Sequence, residues 1–145
     1  MSRYDIITPK LLTHHKLMDG YMLVDIQSYQ SQRKAVEAFA RYFRREMHYD
    51  FLQYNYKAPA GEAYLFFMNV EPVGAVHFLQ NESGWYLNWA WIHPYARGEG
   101  LIQKAWPSFV QRYGTFAISL PISPAMKRLL AKVNHPYIDD TDQGK

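Results

Sequence analysis

The sequence predicts an α+β fold (α/β on a looser definition), a mixed and largely antiparallel central sheet flanked by helices. Three observations predict it. Short β-rich segments at residues 63–70, 73–80 and 85–92 follow one another through compact turns, as in an antiparallel meander. A helical stretch and another short apolar strand come next, and a strand–helix–strand unit of that kind requires parallel pairing. Residues 31–47 and 123–133 carry the apolar period of amphipathic helices.

The opening residues yield little beyond a short helix around residues 9–18. Residues 21–29 alternate Met22, Val24 and Ile26 with Leu23, Asp25 and Gln27, which predicts the first strand. From Ser31 to Met47 the period changes. Ala35, Val36, Phe39, Ala40, Tyr42 and Phe43 form one face, and Arg33, Glu37, Arg41 and Arg45 the other, with Ser31 as the expected N-cap. Residues 51–57 read as irregular, and Pro59-Ala60-Gly61 as a turn. Glu71-Pro72 is the expected turn between the first two meander strands, and Asn81-Glu82-Ser83-Gly84 the second. His93-Pro94 ends the third strand. Residues 100–113 form a helix that Pro107 should kink or restart, and Gly114 closes it. A strand at 115–120 precedes the last helix, 123–133, capped by Ser123 with Pro124 at its first position. The polar tail from Asn134 is expected to be loose.

Composition bounds the function. At 145 residues, 48% hydrophobic and 20% charged, the chain fits a single domain over 1–145, best supported over 63–133. No apolar run approaches the ~20 residues of a membrane helix, and the N-terminus lacks the apolar block of a secretory signal. The expected compartment is the cytoplasm, with no membrane partner. The absence of cysteine excludes disulfides, thiolate nucleophiles and thiolate metal sites. A net charge of +3 suits an anionic ligand but falls short of a nucleic-acid footprint. The basic run Arg41, Arg44, Arg45 reads as a solvated helix face. The 17% aromatic content is expected mostly in the core.

The stretch that carries chemistry is Ile92-His93-Pro94-Tyr95-Ala96-Arg97-Gly98-Glu99-Gly100-Leu101-Ile102. It leaves a strand and opens a helix. The first N–H groups of a helix lack intrahelical partners and sit at the positive end of its dipole. Gly98 and Gly100 allow turns forbidden to bulkier residues and let a phosphate reach the main chain, and Arg97 adds a forked cationic donor. The physical reading is a phosphate or pyrophosphate cradle. There is no Gly-x-x-x-x-Gly-Lys-Ser/Thr, so a P-loop is set aside, and no dinucleotide fingerprint follows the first strand.

These residues resemble the acetyl-CoA loop of the GNAT superfamily of N-acetyltransferases, whose pattern is Arg/Gln-x-x-Gly-x-Gly/Ala. Ile92-His93-Pro94 leads in, Arg97 takes the first position and Gly100 the second. The resemblance implies a GNAT-like acyl-CoA transferase fold with acetyl-CoA as co-substrate. Backbone groups of Trp91, Ile92 and His93 would pair with pantetheine, and amides of Arg97, Gly98, Glu99, Gly100, Leu101 and Ile102 would hold the pyrophosphate. The thioester would lie where the strands at 85–92 and 115–120 splay. A homodimer is compatible with the resemblance, and the amine acceptor, small molecule or protein, is not legible.

The sequence departs from that pattern in three places. Ile102 stands where Gly or Ala is usual. The helix 123–133 lacks the Tyr that often protonates the leaving thiolate: Leu129 and Leu130 occupy that neighbourhood, and Tyr137 is a distant substitute. Few residues follow, with room for one short strand over 135–139. Amine attack also needs a base or a water chain to remove a proton. No Glu or Asp lies on the strand 85–92, which leaves three catalytic candidates: His77, His93 and Asn88, the last able only to orient a water. For both histidines a structural role is the plainer alternative. His14-His15 with Asp19 or Asp25 lacks a properly spaced third ligand, so no metal site is expected. Trp85, Leu87, Trp89 and Trp91 alternate as one strand face, read as a core layer before an acyl groove. No Ser sits in a nucleophile-elbow context.

The leading expectation is transfer of an acetyl group from acetyl-CoA to an amine by direct attack in a ternary complex. The rival is a catalytically degenerate GNAT-fold protein that binds CoA or a protein partner. A toxin-activating type of lysine acyltransferase ranks last, for want of its His–Asp pair.

Overall fold

The computed structural model describes residues 20–119 and 123–135. The expected helix at 9–18, the pair His14-His15 with Asp19, the end of the expected strand at 115–120, and Tyr137 with the rest of the tail lie outside them. The described residues hold nine elements in order, eight regular and one a 3-10 turn: β1 (Tyr21–Val24), α1 (Gln30–Met47), β2 (Glu62–Met68), β3 (Glu71–Asn81), β4 (Gly84–Ile92), the 3-10 turn Pro94–Ala96, α2 (Leu101–Tyr113), β5 (Ala117–Ile118) and α3 (Pro124–Val133). The five strands form one sheet in the order β1-β2-β3-β4-β5. The first three pairings are antiparallel and β4–β5 is parallel, as the crossover through α2 requires. This is the α+β arrangement the sequence predicts.

Both faces of the sheet are covered, which is why its strands are nearly continuous apolar runs. Ala63, Leu65 and Phe67 of β2 face α1, where Val36, Phe39 and Ala40 close the layer. Tyr64 and Phe66, one residue out of phase, face Trp106 and Phe109 of α2 and Leu130 of α3.

Local chemistry moves several boundaries. β1 stops at Val24 rather than running to Tyr29, because Asp25 and Ser28 turn the chain. Ser28 Oγ accepts from the Asp25 amide at 2.9 Å, and Asp25 Oδ1 accepts from the Gln27 amide at 2.9 Å. The N-cap of α1 is Tyr29, without a side-chain bond, and Ser31 lies inside the first turn. Arg33 closes that end instead, donating to the carbonyls of Ser28 at 3.1 Å and Tyr56 at 2.7 Å. The first meander turn falls on Asn69 and Val70, both at positive φ, and Pro72 lies within β3 opposite Phe67, where the register shifts. Positive φ at both turn residues matches the twist of the strands, and this outweighed the Pro signal. α2 runs through Pro107 without a break, and Gly114 closes it at φ 71°. Among the described residues of the expected strand at 115–120, β5 takes only Ala117 and Ile118. Ser123 caps α3 as expected, its Oγ accepting from the Met126 amide at 3.1 Å.

The largest revision concerns β4. Its register against β3 slips between His77 and Phe78: His77 lies opposite Trp89 and Phe78 opposite Leu87, which leaves Asn88 as an extra residue. A bulge of this kind re-aims the chain. Leu87 and Trp85 therefore belong with the α2 side, whereas Trp89 and Trp91 face α1. The four do not form one face.

Candidate functional site

β5 pairs with β4 only at Tyr86–Ala117 and Leu87–Ile118, and one further bond, from the Ser119 amide to the Leu87 carbonyl at 2.9 Å, ends the contact. Beyond the bulge, among the described residues, β4 and β5 are no longer paired. The groove that opens there has a volume of about 700 Å³. Asn88, Trp89, Ala90, Trp91 and Ile92 form its floor, and Ile118 and Ser119 the facing edge. α1 supplies a wall from one face of the sheet through Phe43, Glu46 and Met47, and α3 supplies another through Met126, Arg128, Leu129 and Lys132.

The loop after β4 brings the start of α2 over this gap. The His93 amide still bonds to the Val73 carbonyl at 2.8 Å, which ties the strand end to β3. Pro94–Ala96 then make the 3-10 turn, and Gly98 and Gly100 follow at φ 85° and 74°. A Cβ at either glycine would meet nothing within 4 Å. Their requirement here is conformational: left-handed backbone, which costs other residues strain. The first intrahelical bond of α2 is from Lys104 to the Gly100 carbonyl at 2.9 Å. The amides of Leu101, Ile102 and Gln103 therefore stand outside the helical ladder at its positive end, and all three residues line the groove. Ile102 packs, partly buried, against the core on the α2 side.

Arg97 is turned back on its own loop. Its Nε donates to the Ile92 carbonyl at 2.7 Å, its Nη2 to Glu46 Oε1 at 2.9 Å, and its guanidinium lies 5.4 Å from the Trp91 ring centroid. Trp91 Nε1 donates to the same Glu46 oxygen at 3.1 Å. Glu46 thus joins Trp91 and Arg97, which lie 45 and 51 positions further along the chain, in one cluster on the groove wall.

Trp91, Ile92, Arg97, Gly98, Gly100, Leu101, Ile102 and Asn88 are brought together around the groove; Glu99 is exposed beside it, and His77 and His93 do not line it. His93 is fully buried among the rings of Phe39, Tyr42, Trp91 and Tyr95. His77 is also buried. Its Nε2 lies 2.8 Å from the Ala60 carbonyl, which can only accept, so Nε2 carries the proton and Nδ1 accepts from Asn88 Nδ2 at 3.2 Å. Burial pushes the imidazole down to about 4, against the opposing pull of the Ala60 carbonyl, and the ring is neutral at pH 7. His77 thereby fixes the orientation of the bulged Asn88 amide.

Sequence reasoning missed Glu46, Arg128 and Lys132. Each sits on a helix surface with no local motif, and only tertiary packing turns it toward the groove. Among the described residues no group of three or more His, Cys, Asp or Glu is placed to hold a metal, and no helix is long and apolar enough to cross a membrane.

No family profile matches the chain, and comparison with curated proteins by sequence finds no match. Among solved structures the chain is similar to the xEco2 acetyltransferase domain bound to a CoA conjugate, at a TM-score of 0.60 and 14% identity. The match covers 84% of this chain and 92% of that one. The five-stranded mixed sheet flanked by helices is thus a fold this chain shares with that acetyltransferase domain.

Proposed function

We propose that this chain is an acyltransferase that binds acetyl-CoA in the groove and transfers the acetyl group to an amine by direct attack. The observation that carries the reading is the divergence of β4 and β5 beyond Leu87, directly beneath the start of α2. Beyond Leu87 the edge of β4 away from β3 is not paired with β5 among the described residues, and a strand edge of that kind suits a ligand with amides of its own, as pantetheine has. Amides at the start of α2 suit a pyrophosphate, and Arg128 and Lys132 add positive charge on the α3 wall. Arg97 braces the loop through the Ile92 carbonyl and Glu46 more than it offers a free cation. The fold neighbour, an acetyltransferase domain bound to a CoA conjugate, supports the same ligand class.

The thioester supplies an activated acetyl group. A neutral amine forms a bond to the carbonyl carbon, the carbon–sulfur bond breaks, and the thiolate takes up the proton the amine nitrogen gives up. The chain contributes positioning and fixed dipoles to this step. Asn88, held by His77, is placed to hydrogen-bond a group in the gap. We keep His77 and His93 as structural supports, because both are buried outside the groove.

That placement also favours the second reading, a GNAT-fold protein that binds CoA or a partner without turnover, since neither histidine can reach an amine in the groove. One measurement separates the two. Titrate acetyl-CoA while following thermal stability, then add amines and follow free CoA release. Stabilisation with release supports the enzyme, and stabilisation alone supports the binder. No stabilisation at all sinks the enzyme and the CoA binder, and leaves only the partner-binding form of the second reading. The remaining expectations, a single unit over 1–145 acting in the cytoplasm, belong to this same proposal.

A further inference from the structure

Resting on the acyl-CoA reading above, we infer that the amide oxygen of Asn88 receives an N–H of the acceptor amine, and that His77 is the positioning residue that presents this oxygen. A backbone carbonyl sets the polarity. The Ala60 carbonyl lies 2.8 Å from His77 Nε2 and can only accept, so Nε2 carries the proton. In the neutral imidazole Nδ1 is then bare and can only accept. Asn88 meets Nδ1 at 3.2 Å, and of the two ends of its amide only the nitrogen can donate. The oxygen is therefore at the end of the planar amide directed away from the buried ring. Turning the amide over would set two acceptors against each other.

Packing keeps this relay from turning. His77 is 2% exposed, with the Tyr54 ring edge-on at 5.2 Å and the Trp89 ring at 5.9 Å. Asn88 is only partly buried and lines the groove. It is the extra residue of the β4 bulge, one position beyond Leu87, where pairing with β5 stops. On the acyl-CoA reading the thioester lies there, between the parted strands. The Asn88 oxygen has no hydrogen-bond partner among the described residues. An amide oxygen is a very weak base, so it orients a nitrogen and takes no proton from it. With one N–H held on this oxygen, the lone pair of a neutral amine is free to face the carbonyl carbon. The bond also discriminates, because a nitrogen without hydrogen cannot make it. Trp89, next in the chain, touches His77 as Asn88 does, and its ring lies 5.7 Å from that of Phe43. Both rings line the groove and offer apolar surface to the carbon body of the amine. The chemistry fits a free aromatic amine and a lysine side chain alike, and the test separates them.

The experiment uses the full chain in two stages. Acetyl-CoA binding is measured first, by thermal shift and tryptophan fluorescence. If the wild type does not bind it, the acyl-CoA reading fails and this inference falls with it. With CoA saturating, two pairs of probes that differ in their N–H groups are then titrated: aniline against N,N-dimethylaniline, and a short lysyl peptide against its Nε-trimethylated form. In one pair the N–H form should bind about tenfold more tightly, as one hydrogen bond allows, and that pair identifies the source of the amine. Asn88→Leu removes the amide at similar volume. It should erase the preference while the acetyl-CoA Kd stays within about threefold; a preference set by methyl bulk would persist. His77→Phe keeps a ring but frees the amide to turn, so the preference should fall, and His77→Gln, which keeps both hydrogen bonds, should restore it. A merely structural His77 would lower stability in these variants and leave the preference unchanged. Nitrogen-15 spectra of the wild type should show His77 protonated at Nε2 and bare at Nδ1. A proton on Nδ1, equal binding within both pairs, binding by none of the four probes, or a preference that survives Asn88→Leu overturns the inference and leaves the CoA site standing.

Discussion

His77 illustrates how a residue chosen for its chemistry is claimed by its surroundings. The folded protein keeps it neutral down to about pH 4, whereas the unfolded chain protonates it near 6.5. Unfolding therefore takes up a proton between those values, so this contribution is intact above about pH 6.5 and is lost as pH falls toward 4. His77→Gln preserves a donor for the Ala60 carbonyl and an acceptor for Asn88 but cannot titrate. Denaturant unfolding at pH 7 and pH 4.5 should show the wild type losing roughly 2 kcal/mol more than the variant on acidification; equal losses would place the titration elsewhere. Gly100 makes the opposite case. Its φ of 74° is the constraint, since nothing crowds its missing Cβ. Gly100→Val should cost on the order of 1–3 kcal/mol of stability and abolish stabilisation by acetyl-CoA, and an unchanged acetyl-CoA affinity would move the phosphate site away from this loop.

Among the elements, β4 decides the site. The bulge at Asn88 turns Trp89 and Trp91 toward α1, so the strand floors a groove instead of presenting one flat tryptophan face. β3 holds β4 close by means of Gly74, where a Cβ would lie 2.5 Å from the Trp91 carbonyl oxygen and 2.4 Å from Ile92 Cδ1. Gly74→Ala must push the strands apart at the groove floor. It should destabilise the fold by roughly 1–3 kcal/mol and weaken acetyl-CoA binding, whereas Ser123→Ala, which removes only the cap of α3, should cost about 1 kcal/mol in chemical denaturation. A Gly74→Ala protein with wild-type stability would show that β3 and β4 have slack the structure does not suggest.

At the scale of the whole molecule, the groove draws walls from α1, β4, α2, β5 and α3. A ligand bound there bridges both faces of the sheet and stabilises the folded chain as a unit. At a concentration one hundredfold above its Kd, acetyl-CoA should add about 2.7 kcal/mol to unfolding and raise a single cooperative melting transition by several degrees. A transition that splits in two, with one part insensitive to ligand, would mean that the groove is not integral to the fold. The ends of α2 and β2 are braced by Glu62, which accepts from Arg112 at 2.7 Å and from Tyr113 at 2.7 Å. The Arg112 bonds hold that carboxyl below the usual range.

The sequence by itself determined the fold class, the meander, the crossover helix and the loop from Pro94 to Ile102. Each is a local pattern: apolar alternation, helical period, and glycines where the backbone must turn left-handed. What only the tertiary structure decided lies where a local signal was absent or was outvoted. Asn69-Val70 displaced Glu71-Pro72 as the turn because strand twist outweighs proline. One extra residue in β4 divided a tryptophan series between two faces, and no single-strand pattern records a register slip against a neighbour. Glu46 reached Arg97 across 51 positions because α1 packs over β4; contacts of that separation are made by packing, and a chain read one segment at a time does not display them.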